Sequence, residues 1–246
     1  MSRLRPALRS GKPLLAIALG VLLQLVGTPS CTDSSSGLAV DVELTPPAKR
    51  SFETDRGYTV VLERAYLTVG SVELFECDSA ESSLLELPWG PRVAFAHSVS
   101  TPTRLGVPQV VSLTDEGTSP LSLGSFGPPP GAYCSLTLGF EPADADAEHL
   151  PDDVELVGVT LWLEGSYRAD SDEPIAFSAA TKRAVEGAAS FSRVRLAEDE
   201  RTEARLLVTL PNAEWFSGID FSRADEQEIA DAVLDNLADA VEVISR

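Results

Sequence analysis

Five of the six acidic residues between positions 144 and 155 have a spacing that cation chemistry uses. Counting Asp144 as position 1, carboxylates fall at 1 (Asp144), 3 (Asp146), 5 (Glu148), 9 (Asp152) and 12 (Glu155). This follows the ligand order of an EF-hand loop, in which carboxylate and carbonyl oxygens surround calcium. Other features oppose that use. Position 6, where the loop needs glycine for its sharp turn, is His149. Glu148 is longer than the usual Asp or Asn, Pro151 interrupts the loop, and the flanks have the pattern of strands. A solvated acidic loop is the expectation, with calcium binding as the alternative.

The chain has two histidines, His97 and His149. His97 lies in the strand-like run AFAHSVS, where a neutral imidazole could serve copper or zinc. A hydrogen-bonded histidine at a strand end is the plainer reading. Serines and acids are too plentiful to single out a Ser-His-Asp set. The nucleophile elbow G-x-S-x-G and the glycine-rich phosphate and dinucleotide patterns are absent. No glycosidase-type carboxylate pair can be picked from 38 acidic residues. No residue set argues for an enzyme.

The three cysteines carry more information. Residues 1–13 hold Arg3, Arg5, Arg9 and Lys12 and no acid, and residues 14–26, LLAIALGVLLQLV, are almost wholly apolar. Small residues and Cys31 follow. A basic leader, a short apolar run and small residues before a cleavage point make a secretory signal. The apolar run falls short of the ~20 residues that span a bilayer. Ser30 before Cys31 resembles the bacterial lipobox, with Thr28 and Pro29 departing from its usual pattern. The expectation is a signal peptide over 1–30, lipidation of Cys31 and a flexible tether over 31–37. Ordinary cleavage releasing a soluble periplasmic protein is the alternative. Thr32 after the cysteine, by resemblance to Gram-negative lipoproteins, favours the outer membrane. Cys77 and Cys134 then remain as an even pair, most simply a disulfide in an oxidising compartment. Two buried thiols are the alternative reading.

The formal net charge is −19. Removing the four basic residues of the leader leaves 15 basic against 38 acidic side chains, or −23. Such a surface excludes nucleic acid as a partner, since phosphates require Lys and Arg. It also opposes lying flat on anionic lipid.

The elements that must position these residues read as short strands. LAVDVEL (38–44) alternates apolar and polar residues, the period of a half-buried strand. Residues 58–77 are long and β-branched but change parity, which predicts a bulge near Arg64–Ala65 or Gly70. Further strands are expected at 92–100, 107–113, 132–141, 154–168, 174–181, 190–197 and 204–211. Cys134, Leu136, Leu138 and Phe140 are expected on one face. Strands at this spacing predict a mostly β, antiparallel β-sandwich of the immunoglobulin or transthyretin kind. A single domain is expected over 38–246. Ile229, Val233, Leu237, Val241 and Ile244 recur at helical spacing, which predicts a C-terminal amphipathic helix over 223–244. Ser222 and Asp225 resemble its capping box.

The order YLTVGSVELFEC, a histidine-containing strand, PPPGAYCSLTLGFEP, VTLWLEGSY with IAFS, and WFSGIDF resembles a group of proteins across most of residues 38–221. These are uncharacterised bacterial lipoproteins, distantly similar to the copper-associated periplasmic β-sandwich proteins found beside methanobactin systems. The resemblance implies copper held by histidine and an oxidised tryptophan, with a dihaem redox partner. Here it makes His97 and the tryptophans Trp89, Trp162 and Trp215 candidates. Two histidines exclude a histidine-rich copper site. The expected role is a non-catalytic, lipid-anchored cell-envelope module that binds a protein or glycan. A copper-associated protein is the alternative, and a hydrolase the third.

Overall fold

A computed structural model describes residues 37–45, 47, 49–77, 100–106, 108–115, 119–169, 172–211 and 214–246. Among these residues the strands are β1 (Ala39–Thr45), β2 (Ser51–Glu53), β3 (Tyr58–Glu76), β4 (Arg104–Leu105), β5 (Gln109–Ser112), β6 (Leu121–Phe126), β7 (Gly131–Phe140), β8 (Leu161–Ala169), β9 (Ile175–Thr181), β10 (Val185–Leu196), β11 (Glu203–Thr209) and β12 (Glu242–Ser245). One helix, α1 (Glu226–Asp239), precedes β12. The smaller sheet runs β12-β11-β1-β6, and the larger runs β10-β7-β3-β8-β9, with β2, β4 and β5 also on β3. Every ladder is antiparallel except β1 with β11. The arrangement is the expected β-sandwich, not a closed barrel.

Alternation explains β1. Val40, Val42 and Leu44 are buried while Asp41 and Glu43 point outward, the two-residue period of a strand. Val60, Leu62, Leu67, Leu136, Leu138 and Phe140 of the larger sheet join the same core. Strand β3 changes register against β8 between Leu62 and Arg64, and against β7 between Val69 and Ser71. Both shifts fall where the parity change predicts them. They let one 19-residue strand keep its apolar side inward while bending across five partners.

The C-terminal helix is shorter than expected. It ends at Asp239, not 244, and residues 242–245 pair with β11 instead. Val241 and Val243 are buried by strand alternation, and β-branched residues favour that state. The start differs too. The Ser222 hydroxyl donates to Asp220 at 2.6 Å, so it caps nothing. Asp225 is the N-cap: its carboxylate accepts the Glu228 N–H at 2.8 Å, and Glu228 accepts the Asp225 N–H at 3.0 Å. A 14-residue helix is marginal alone. Ile229, Val233, Leu234 and Leu237 are buried against β8, β9 and β10, each stabilising by about 1.5–3 kcal/mol. Asp225→Ala removes the carboxylate that accepts the Glu228 N–H, while its own backbone N–H can still donate to Glu228, and is expected to lower stability by about 1 kcal/mol, read as a shifted urea midpoint at unchanged slope.

The expected strand over 154–168 begins only at Leu161. Gly158 takes φ 79°, a left-handed turn that breaks the run. Residues 141–160 instead fold over the larger sheet's outer face.

Candidate functional site

The two cysteines meet through an irregularity. Phe75 of β3 faces Ser135 and Glu76 faces Tyr133, so Cys134 is left out of that ladder. It is skipped by β10 as well. This bulge corrects the expected alternation: Tyr133, not Cys134, is buried with Leu136, Leu138 and Phe140. It also brings Cys134 to Cys77, just beyond β3. Their Cα atoms are 4.8 Å apart and the sulfurs are bonded. The Cys77 N–H donates to Ala132 O at 2.8 Å beside the bond. The Tyr133 hydroxyl donates to Pro129 O at 2.8 Å, tying the Pro-Gly-x-Tyr turn to its strand. Burial, aided by Glu76, raises the Tyr133 phenol above its ordinary pKa.

The acidic segment is a folded cap. Glu148 N–H donates to Pro108 O, and Val110 N–H donates to Glu148 O, which fastens it to β5. Ala143 and Val157 bridge its two ends. Val110, Ala143, Ala147 and Leu156 form a small second core, against which Tyr66 and Trp162 pack. The alanines that alternate with acids in the sequence are thus partly its anchors. Asp146, Glu148, Asp152 and Glu155 are exposed, and Asp144 is half-buried. His149 adopts φ 62°, the conformation for which an EF-hand uses glycine. Even so, the five carboxylates do not converge as a ligand set. Among the described residues, no group of three or more His, Cys, Asp or Glu is arranged to hold a metal ion.

Beside this cap lies a ledge that sequence reading did not assemble. Tyr66 faces Trp162 across β3 and β8, Arg64 faces Glu164, and Val61 faces Ser166. Arg64 donates to Glu164 through Nε at 2.7 Å and to Asp153 through Nη1 at 2.7 Å. Its Cζ stands 5.1 Å from the Trp162 ring centroid, within cation–π range. The hydrogen bond to Glu164, followed by the charges of Glu164 and Asp153, raises the Arg64 pKa. Burial raises that of Tyr66, with Asp153 and Asp115 adding to it. On the far side, Trp162 faces Ala180, Glu164 faces Ser178 and Ser166 faces Ala176. Those short side chains leave Trp162 rimmed by low neighbours. Val61 and Val157 are 41% and 45% exposed nearby. The face offers an aromatic edge, a fixed cation and carboxylates: contact chemistry for a partner. The outward parity of Arg64 and Tyr66 on one strand and of Trp162 and Glu164 on the other was the available signal. Their pairing depends on the Glu63 bulge and residues 100 positions apart.

The remaining candidates separate. Cys31, Trp89 and His97 lie outside the described residues, as do residues 92–99 of the strand expected at 92–100. Trp215 is 0% exposed, stacked on Phe52 with ring centroids 5.4 Å apart, so it is core and supplies no exposed patch. Asn236 of α1 donates to Trp215 O and Ser217 O, holding the preceding loop on the helix. Among the described residues, no helix is long and apolar enough to cross a membrane. No protein-family model matches the chain, and no curated protein or solved structure matches it significantly.

Proposed function

We propose that this chain is an exported, lipid-anchored cell-envelope protein whose sandwich domain serves as a binding module and not as a catalyst. Residues 1–30 direct export, Cys31 carries the lipid, and the segment to residue 37 tethers the domain at the outer membrane. The observation that carries this reading is the Cys77–Cys134 bond. It uses the two cysteines that remain once Cys31 is assigned to lipid, and such bonds persist in oxidising compartments outside the cytoplasm. A diacylglycerol thioether adds two acyl chains, enough for stable anchoring where one gives only marginal binding. The −23 charge keeps the domain off anionic headgroups. The partner-facing surface is the ledge of Tyr66, Trp162, Arg64 and Glu164, which suits a protein or glycan.

Fractionation of cells producing the full chain or its Cys31→Ala variant tests the reading. Wild-type protein is expected in the membrane fraction. The variant is expected in the soluble periplasm or retained as precursor, with its disulfide intact if exported. Membrane partition of both at the same mature length, or cytoplasmic retention of both, overturns it.

A further inference from the structure

We propose that the cleft between the β6–β7 turn and the end of β10 is a binding site for an anionic group, a phosphate or a carboxylate. It stands apart from the lipid-anchor reading and from the ledge. Strand β10 advances four residues from Ser190 to Val194 while β7 advances two, from Ser135 to Tyr133. Beyond this bulge Arg195 faces Ala132 and Leu196 faces Gly131. Val194 is buried, so Arg193 and Arg195, one residue to either side, project together on the outer face about 7 Å apart. Ala132, opposite Arg195, is too small to fill the space. An open cleft of about 440 Å³ lies here, lined by Pro130, Gly131, Ala132, Arg193, Arg195 and Leu196. That volume lies within the range of small-molecule sites.

The arginines are also electrostatically idle. Arg56, Arg64, Arg104, Arg183, Arg205 and Arg223 each stand against a carboxylate. Neither Arg193 nor Arg195 has an ion pair or side-chain hydrogen bond among the described residues. Acids are nonetheless close: Glu198, Asp199 and Glu200 follow in the next turn, and a Cβ on Gly131 would lie 3.5 Å from Glu76 Oε1. Both arginines line the open cleft, and guanidinium forks are matched to the oxygens of a phosphate or carboxylate. The wall is rigid, because Cys77 N–H bonds Ala132 O beside the disulfide. The site therefore exists before its ligand arrives.

The test is binding of phenyl phosphate and of benzoate to the purified full chain, by calorimetry at fixed ionic strength with chloride as the background anion. The Arg193→Gln/Arg195→Gln double variant changes only exposed side chains and should keep the wild-type melting temperature. Saturable one-to-one binding of either probe is expected, weakened about tenfold or more in the double variant by loss of the charge-assisted bonds. A stronger response to phenyl phosphate assigns the site to phosphate, and to benzoate assigns it to carboxylate. Binding of neither probe, or equal binding to wild type and variant, overturns the proposal.

Discussion

Replacing Cys77 and Cys134 with serine is expected to destabilise the domain by about 4 kcal/mol, the loop-closure value for residues 57 apart. The same loss should follow chemical reduction of the wild-type chain. Reduction and the double substitution should not add, because both remove one interaction. The effect should reach beyond the bond. Cys77 follows directly on the central strand β3, and Cys134 sits where β7 slips against both its neighbours. Releasing the bond frees the bulge that keeps Tyr133 inward. Denaturant midpoints with and without reductant measure this. Equal midpoints would remove the main structural support for an oxidising destination.

Gly165→Ala is expected to be comparably damaging, lowering stability by about 3 kcal/mol or more. Gly165 of β8 faces Leu62 of β3, one residue before β3 carries its extra Glu63. A Cβ there would stand 2.2 Å from Val61 O and 3.1 Å from Leu62 Cα. Both are backbone atoms held by the ladder, so relief requires the central strands to part. That movement would also separate Arg64 from Glu164 and unseat the ring of Trp162. Gly127→Ala is the control, since its Cβ would meet nothing nearer than Leu38 O at 3.9 Å. Thermal melts of the two variants decide the matter. Similar melting temperatures would contradict the β3–β8 register.

Local signals made much of the sandwich legible. Strand β1 could be read from its alternation because it belongs to a sheet with one buried face. The bulges of β3 were readable as breaks in parity, since a slip of one residue turns every later side chain over. The cysteine pairing followed from the count. Three features escaped for a shared reason. The end of α1, the cap over 141–160 and the start of β8 depend on what lies across the fold. Val241 and Ile244 suit a helical stripe as well as a strand, and only β11 beside them decides. The EF-hand-like spacing of acids was real, yet Ala143, Ala147 and Leu156 between them bury against Val110 and direct the carboxylates outward. The ledge was least visible. Its members are ordinary outward residues in each strand, and they meet only through the Leu62–Arg64 shift.

The proposed role of Cys31 is to anchor an exported domain. Its most direct test is the mass of the N-terminal peptide of the mature protein recovered from cell envelopes. The mature chain is expected to start at Cys31, with a diacylglycerol thioether on that residue. A peptide that runs unmodified through Cys31, or a mature chain that starts after it, would contradict the claim.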